Sequence, residues 1–340
     1  MKKTIKLLTL VFSITIMIIS YTGCSNKTEP VSKESYYMDT VCTISIYDME
    51  DMSKDSAIAA IDDAFSLCQE YESYISISME ESDIYKINRA EGKPVECHPE
   101  TIEVIEMGMD AGNLSAGKFD ITIGKVTDLW DFTGENPSVP EEERIADALE
   151  HVDYTQINIE GNTVTMSDPE GEINLGGIGK GFIADKAAEC LRENGVTNAI
   201  VNFGGNIITI GDKMGEPFKI GVELPYSDRS EIIGYVEADN TTLVTSGVYE
   251  RFFEENGTKY HHILDVKTGY PVENDVLSVT IVAPAGMSGV SDGLSTICLL
   301  SGSEEGMKII ESAEGVEAVF QTRGGEILKS SGLNNFVETE

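Results

Sequence analysis

Basic residues are scarce in this sequence of 340 residues. It has 24 Lys and Arg against 59 Asp and Glu, which gives a formal net charge of −35 at pH 7. A surface this acidic repels nucleic acid backbones, so we expect no DNA or RNA partner. It also repels a free anionic nucleotide. Any nucleotide site must therefore contain local compensation, such as a metal ion, helix N-termini or a few buried cations.

Cysteine is also sparse and irregularly placed. The sequence has six cysteines and no CxxC pair, a spacing that argues against a zinc site. Cys24 follows the N-terminal apolar run, so five cysteines remain for the rest of the chain. An odd number argues against a disulfide framework. Cys68, Cys190 and Cys298 fall on apolar faces of predicted helices, where a buried thiol is the expected state.

The N-terminus has the pattern of an export signal. A cationic MKKTIK precedes the apolar run LLTLVFSITIMII, and the segment ends in YTGC, a pattern typical of secretory signals. The small residues before Cys24 resemble a bacterial lipobox, so we expect a lipoprotein signal peptide over 1–23 and a lipidated Cys24. An uncleaved anchor, or an ordinary signal peptide containing a Cys, is the alternative. Residues 24–35 then form a tether to a domain over 36–337, lipid-anchored to the cell membrane on its extracytoplasmic side.

Hydrophobic periodicity predicts an α+β fold. Helical spacing predicts helices over 55–75, 98–115, 140–152, 289–302 and 303–314, and another after the glycines near 179. Alternation predicts strands within 38–47, 198–211, 218–224, 234–247, 277–284, 317–322 and 326–332, and a hairpin over 156–168. The segment 117–132, which carries the only Trp, is predicted as strand and loop. No repeat follows the tether.

Four glycines in six positions mark the stretch EINLGGIGKGFIADKAA, residues 172–188. A Gly-rich turn between a strand and a helix is typical of phosphate sites, because backbone N–H groups and the helix dipole can face an anion. The P-loop pattern needs Gly at Asn174 and Ser or Thr at Gly181, and the dinucleotide pattern needs Gly at Phe182. A tight turn that packs a helix onto a sheet is an equal alternative for this stretch alone.

Two further stretches concentrate polar groups. TSGVYERFFEENGTKYHHILDVKTGYPV contains His261, His262 and Asp265. A neutral His near an Asp can accept a proton or orient a phosphate, and a hairpin with a surface His pair is the alternative. In SDGLST, Asp292 and Thr296 share one helix face, and their oxygens suit a hard cation such as Mg²⁺. The alternative is an Asp that caps the helix and a Thr bonded back to it.

Taken in chain order, these stretches resemble one family. MDTVCTISIY, FDITIG…LWDF, NLGGIGKGFIAD, VNFGGNI, the two-histidine stretch and SDGLST follow the order of the FAD:protein FMN transferases, the ApbE family, over residues 36–336. The resemblance implies a single ApbE-type (T-fold-like) domain with mixed or antiparallel sheets and flanking helices. It also implies Mg²⁺-dependent transfer of FMN from FAD, as substrate, to a Thr or Ser hydroxyl of an acceptor flavoprotein, with release of AMP.

The resemblance further implies a set of site residues. His262 and Asp265 match the active-site His and Asp. The carbonyl of Gly177, together with Asp292 and Thr296, matches the metal ligands. The expected FAD contacts are Met38, Ser78, Lys118, Phe119, Asp120, Asn174, Lys180, His262 and Thr268.

Two of these positions depart from the family pattern. Asn174 stands where the family usually has Asp, which removes a negative charge, although an amide can still form hydrogen bonds. Ser78 stands at an upstream aromatic position, which takes away an expected stacking partner for a flavin or adenine ring.

Two other activities fit much of the same pattern. A hydrolase that splits FAD into FMN and AMP would use the same site. A non-enzymatic, ligand-binding lipoprotein would share the lipobox, but it would not need Asp292 and Thr296 on one helix face. For a transferase, the resemblance implies acceptors among flavin-carrying subunits of Rnf-type or sodium-pumping NADH:quinone oxidoreductases, or among extracytoplasmic reductases.

Overall fold

The computed structural model of the chain describes residues 29–47, 52–134, 136–227 and 231–339. The expected signal peptide, the expected lipidation site at Cys24 and the first part of the tether lie outside the described residues. Within the described ranges, no helix has both the length and the apolar character that a membrane span requires.

Eight α-helices lie in the described part of the chain. They are α1 (Lys54–Ile75), α2 (Asp83–Ile87), α3 (Pro99–Leu114), α4 (Gly124–Trp130), α5 (Glu142–Leu149), α6 (Gly179–Glu193), α7 (Ser288–Ser301) and α8 (Ser303–Ser312). The two that matter most for the site, α6 and α7, both begin next to glycines and pack against each other.

Sixteen strands of the described residues form four sheets, and every strand pairing in them is antiparallel. The strands are β1 (Val31–Tyr37), β2 (Thr40–Ile46), β3 (Val95–Glu96), β4 (Ile157–Glu160), β5 (Thr163–Met166), β6 (Ala199–Phe203), β7 (Asn206–Ile210), β8 (Phe218–Glu223), β9 (Ile232–Ala238), β10 (Thr241–Gly247), β11 (Phe252–Glu255), β12 (Thr258–His261), β13 (Val276–Pro284), β14 (Glu317–Thr322), β15 (Ile327–Lys329) and β16 (Phe336–Glu338).

The largest sheet separates two hydrophobic layers. Its strand order is β1-β2-β6-β7-β10-β13-β14-β15, and the small sheet β16-β9-β8 covers part of one face. Side chains of a strand alternate between faces, so Ile281 of β13 joins the core under α7 and α8, whereas the adjacent Val282 packs with Phe218 and Val236 of the small sheet. Helices α1 and α6 cover the β1-to-β7 part of the sheet from the helix side.

The predicted α+β class and most predicted elements are confirmed. The strand expected before the Gly-rich turn is only an isolated bridge between Glu172 and Ile123, and two other segments also differ. β1 begins at Val31 and pairs with β2, so the last residues of the predicted tether belong to the sheet. They read as polar because β1 is an edge strand, which exposes alternate side chains. The segment predicted as strand and loop contains α4, because Val126 and Trp130, four residues apart, are both buried, and a helix places them on one side.

A small aromatic cluster, which we call the Trp130 cluster, supports the segment after β12. Trp130 is fully buried against Phe132, Phe253, Tyr260 and Tyr270. Its indole Nε1–H donates to the carbonyl oxygen of Gly269 at 2.8 Å. This contact ties α4 to the turn that contains Asp265 and Thr268.

Candidate active site

The Gly-rich turn packs closely on three sides, and this explains its small side chains. A Cβ at Gly177 would lie 2.9 Å from the Phe119 ring, and one at Gly179 would lie 3.1 Å from Ile75 and Met38 side-chain carbons. A Cβ at Gly181 would lie 2.2 Å from the carbonyl oxygen of Ser288, at the start of α7. The turn therefore brings the backbones of α6 and α7 into contact.

Asp292 of α7 lies at the start of α6. Its side chain is buried, and its Oδ2 accepts a hydrogen bond from the backbone N–H of Gly181 at 3.0 Å. The ammonium of Lys180 lies 3.3 Å from the same oxygen and 3.1 Å from the carbonyl oxygen of Gly176. The ammonium and the N-terminal end of α6 together stabilise a buried negative charge.

Gly177 and Thr296 complete the predicted oxygen set. A Cβ at Gly177 would be 3.9 Å from Thr296 Oγ1, and Thr296 Oγ1 donates back to the backbone carbonyl of Asp292 at 3.3 Å. One carbonyl, one carboxylate and one hydroxyl therefore lie within one small region. All three are hard oxygen donors of the kind that Mg²⁺ prefers, so the residues present fit that ion. In the described residues, no cluster of three or more His, Cys, Asp or Glu side chains could hold a metal ion.

His262 lies just after β12 and is held in one tautomer. Its Nδ1 is 3.2 Å from the backbone carbonyl of Arg251. Because a carbonyl can only accept, Nδ1 carries the proton and Nε2 keeps a free lone pair. Burial, together with the charges of Arg251 and Lys180, lowers the pKa of His262 to about 3, although the hydrogen bond to Arg251 opposes the shift. The ring is therefore neutral, and the charge of Lys180 contributes to the lowering of its pKa.

His261 points away from His262, as alternation along a strand predicts. It is buried, and its Nδ1 has no hydrogen-bond partner among the described residues. Burial and the charge of Arg323 lower the pKa of His261 to about 4, although a hydrogen bond to the Val272 backbone opposes the shift. His261 therefore belongs to the interior on the Arg323 side, and His262 belongs to the candidate site.

Comparisons with known proteins agree with this geometry. The model of the ApbE family matches residues 38–320. The chain belongs to the ApbE family. It is 32% identical over 282 residues to a FAD:protein FMN transferase of Klebsiella pneumoniae (strain 342), covering 82% of this chain and 86% of that protein. It is 29% identical over 319 residues to a FAD:protein FMN transferase of Treponema pallidum (strain Nichols), covering 89% of this chain and 87% of that protein.

Solved structures of ApbE proteins share the fold. The crystal structure of the ApbE protein from Thermotoga maritima matches with a TM-score of 0.82 at 31% identity, covering 92% of this chain and 100% of that one. The flavin transferase ApbE from Vibrio cholerae matches with a TM-score of 0.80 at 26% identity, covering 91% of this chain and 99% of that one. The predicted family and ApbE-type fold are confirmed.

Asp265 and Thr268 lie in a turn closed by the pairing of Leu264 with Pro271. Asp265 Oδ1 accepts from the N–H of Lys267 at 2.8 Å, and Thr268 Oγ1 accepts from the N–H of Tyr270 at 3.2 Å. Both side chains therefore shape the turn in this ApbE-family chain. The hydrogen-bond partner of His262 Nδ1 is the carbonyl of Arg251.

Met38 reaches the Gly-rich turn, whereas Ser78 forms its hydrogen bonds with Ser76 instead. The Met38 backbone is left-handed, with φ of 49°, and its N–H donates to Glu72 of α1 at 2.6 Å. This holds the Met38 side chain against Gly179. Ser78 is exposed and bonds only to Ser76 among the described residues, three residues beyond Ile75, which also touches Gly179.

Lys118, Phe119 and Asp120 have three different environments. Phe119 packs on Gly177. Lys118 pairs with Glu305 at 2.6 Å, near the C-terminal end of α7. Asp120 is buried and accepts from Thr122 N–H and hydroxyl and from the N–H of Tyr154, at 2.6 to 3.0 Å. Burial raises the pKa of Asp120, and these hydrogen bonds oppose the shift. Its carboxylate therefore fixes the chain beneath Phe119.

Asn174 takes part in the turn that carries the glycines. Its Oδ1 accepts from the N–H of Gly176 at 2.9 Å, and its own N–H donates to the carbonyl of Ile121 at 2.7 Å. An amide oxygen serves this turn as a carboxylate would. The departure from the family's Asp therefore leaves the local backbone supported.

Sequence reasoning missed the groups that hold the site in place. These are Glu72, which binds the backbone of Met38, the Arg251 carbonyl, which binds His262, and Ser246, whose hydroxyl is 2.7 Å from that of Ser295 on α7. Glu72 is separated by 34 residues in sequence from the backbone it binds, and no periodic pattern reports such a contact.

His261→Gln should flatten the dependence of stability on pH below neutrality. The unfolded chain binds a proton at His261 near its ordinary pKa of 6.5, whereas the folded chain binds it only near 4. The stabilisation is therefore complete above pH 6.5 and is lost as pH falls toward 4, with a slope of up to about 1.4 kcal/mol per pH unit. Urea unfolding of both proteins between pH 6.5 and 4.5 measures this slope, and equal slopes would contradict the assignment.

Gly181→Ala should destabilise the fold far more than Gly293→Ala. The new methyl at 181 would meet backbone atoms of α7 at 2.2 Å, whereas at 293 its nearest neighbour is a side-chain methyl of Ile178 at 3.2 Å. We expect a loss of at least about 1–3 kcal/mol at 181. At 293, the gain in helix propensity of about 1 kcal/mol offsets the crowding. Urea unfolding gives the free energy of unfolding of each variant. Similar losses of stability in the two variants would show that α6 and α7 can move apart to accommodate the methyl group.

Proposed function

We propose that this chain transfers the FMN part of FAD to a Thr or Ser hydroxyl of an acceptor flavoprotein and releases AMP. The observation that carries the proposal is the grouping of Lys180, Asp292, Gly177 and Thr296 at the start of α6, together with a neutral His262 whose pKa is lowered in part by the charge of Lys180. The curated relatives reported above carry the name of this activity.

Lys180 and the start of α6 supply the local positive compensation that this acidic chain needs for a nucleotide. The ammonium is partly accessible, with 21% of the side chain exposed. It can therefore donate to diphosphate oxygens as well as to Asp292. Main chain rather than side chains lines the turn at Gly176 and Gly177, so a diphosphate can approach it closely.

Mg²⁺ would be held by Asp292, the Gly177 carbonyl and the Thr296 hydroxyl. When bound, the ion supplies charge neutralisation for the diphosphate and for the negative charge that develops on departing AMP. In this chain Asp292 is the only carboxylate of that donor set. Lys180, whose ammonium lies 3.3 Å from Asp292 Oδ2, helps to orient that carboxylate.

The chemistry is a substitution at the phosphorus of the FMN part. The acceptor hydroxyl oxygen forms a new bond to that phosphorus, the bridging P–O bond to AMP breaks, and AMP leaves with the bonding electron pair. The hydroxyl proton goes to Nε2 of His262, whose lone pair is free because Nδ1–H is bound to the Arg251 carbonyl. Holding both reactants in line supplies about 7–11 kcal/mol of the barrier reduction in such reactions.

The same proposal includes the acceptor protein of the flavin and the cellular location of the enzyme. We propose acceptors among flavin-carrying subunits of Rnf-type or sodium-pumping NADH:quinone oxidoreductases, or extracytoplasmic reductases, met outside the cell membrane. Lipidation at Cys24 would keep the enzyme beside such membrane partners.

Cys24→Ser should release the protein from membranes without changing the transfer rate of the isolated protein, because Cys24 precedes the domain by several residues. Membrane fractionation and a transfer assay on the same preparation measure both effects. A Cys24→Ser protein that stays with membranes after its signal is cleaved would refute lipidation.

An acceptor assay tests the proposed activity. The purified chain is incubated with FAD, Mg²⁺ and an acceptor domain, and flavin fluorescence is read after a denaturing gel. A fluorescent acceptor band that disappears with a chelator is the expected result. Free FMN and AMP without a band would indicate a hydrolase, and unchanged FAD bound to the protein would indicate a ligand-binding lipoprotein.

A further inference from the structure

Two carboxylates cap the helices α6 and α7 reciprocally. Asp292 of α7 accepts from the N–H of Gly181, in the first turn of α6, at 3.0 Å. Asp185 of α6 accepts from the N–H of Gly289, in the first turn of α7, also at 3.0 Å. Each helix thus supplies the carboxylate that binds the other's N-terminus, although the two Asp residues are separated by more than a hundred residues of sequence.

Neither helix has a side-chain cap from its own N-cap residue. These residues are Ile178 for α6 and Met287 for α7, and neither forms a side-chain cap hydrogen bond. Uncapped first-turn N–H groups need partners from elsewhere when a helix start is buried. Asp292 and Asp185 therefore accept first-turn N–H hydrogen bonds that an N-cap Ser or Asp accepts in other helices.

The two helix starts are too close to shift past each other freely. A Cβ at Gly181 would lie 2.2 Å from the Ser288 carbonyl oxygen and 2.8 Å from the nitrogen of Gly289. The position of α7 along α6 is therefore fixed by backbone contact and by the two carboxylate bonds. Asp292 lies one turn beyond Gly289 on α7, so its position depends on how the start of α7 is held.

The environment of Asp185 shows that its carboxylate is committed to this contact. Oδ1 is buried and has no hydrogen-bond partner among the described residues. Burial raises the pKa of Asp185 to about 6, while the N–H groups of Gly289 and Ser288 and the charges of Arg192 and Lys186 oppose the shift. The group is ionised at neutral pH, and a buried anion beside a helix N-terminus favours one fixed arrangement.

We propose that Asp185 is a positioning residue for the candidate site, which fixes the start of α7 and thereby sets Asp292 and Thr296 against Gly177 and α6. Asp185 has no contact with the proposed metal ligands and acts through the helix it caps. The structural part of this inference stands on the two carboxylate bonds. Its consequence for flavin transfer rests on the proposed function.

Amide hydrogen exchange at two glycines tests the coupling in the full chain. Asp185→Ala removes the acceptor, Asp185→Asn keeps an acceptor oxygen without the charge, and Glu189→Gln, at an exposed position one turn further along α6, is the matched control. We expect faster exchange at Gly289 and, because the caps are reciprocal, also at Gly181, by about tenfold in the Ala variant and less in the Asn variant. The control should match the wild type.

Exchange that rises at Gly289 while Gly181 keeps the wild-type rate, in whichever Asp185 variant folds, would overturn the proposal, because it would reduce Asp185 to a local cap. A second measurement separates this inference from the proposed function. In the transfer assay, the Asp185 variants should need about tenfold more Mg²⁺ for half-maximal rate, with the acceptor KM unchanged. If the wild type transfers no flavin, the proposed function fails, but the exchange result still decides the coupling.

Discussion

Asp292→Ala should lower the rate of flavin transfer by at least about a hundredfold while the domain stays folded. Asp292 supplies the only carboxylate of the proposed Mg²⁺ donor set, and it is also the partner of Lys180 and of the Gly181 N–H. Without Asp292, the site would no longer hold Mg²⁺. The FAD diphosphate would then face an acidic protein without the positive ion that mainly compensates its charge. Single-turnover transfer measured across a range of Mg²⁺ concentrations gives the size of the loss.

Asp292→Asn separates the chemical role of this residue from its structural role. The amide oxygen can still accept from the Gly181 N–H, so the cap of α6 is kept, but the negative charge is gone. We expect Asp292→Asn to unfold at nearly the wild-type urea concentration, whereas Asp292→Ala loses about 1 kcal/mol with the cap. Both should be poor transferases. Near-normal transfer by either variant at limiting Mg²⁺ would place the metal elsewhere.

His262→Ala should lower the transfer rate by about 10²–10⁴-fold, the usual contribution of a general base, and leave FAD affinity largely intact. The structure gives His262 a free Nε2 lone pair and no contact with the Gly-rich turn, where Lys180 and the backbone N–H groups would hold the phosphates. Single-turnover rates and FAD binding, measured on the same variant, separate the two effects.

His261→Gln is the matched control for this substitution. His261 faces the interior near Arg323, so the folded variant should transfer flavin at close to the wild-type rate although its acid stability changes. If His261→Gln is the slow enzyme, the assignment of the two rings to opposite sides is wrong. If His262→Ala loses FAD affinity and rate together, His262 binds substrate, and the proton acceptor is another group or water.

The long periodic segments of the fold could be predicted from the sequence. In α1, Ile61, Phe65 and Cys68 recur at helical spacing, and all three are buried in the main core. The predicted helix over 55–75 therefore agrees with Lys54–Ile75 within one residue at its start. The pattern failed where few residues carry it, as in the seven-residue helix α4 and in the polar edge strand β1.

Sequence spacing could group some of the candidate site residues, but it could not predict the bonds that they form. Asp292 and Thr296 share a helix face by spacing alone, and the structure places Thr296 near Gly177 and Asp292 beside Gly181. The partner of His262 depends on the pairing of β11 with β12, in which Phe252 lies opposite His261, and no local pattern fixes that register. The bond from Asp185 to Gly289 joins two helices across 104 residues, so only the tertiary fold reveals it.

The stoichiometry of products tests the central claim most directly. The wild-type chain is incubated with FAD, Mg²⁺ and an acceptor domain, and with the same acceptor after replacement of its target Thr by Val. AMP and acceptor-bound flavin are then counted separately by chromatography and by intact mass. The account predicts equal amounts of AMP and acceptor-bound flavin with the Thr acceptor, and neither with the Val acceptor. AMP released together with free FMN in equal amounts, whichever acceptor is present, would contradict it.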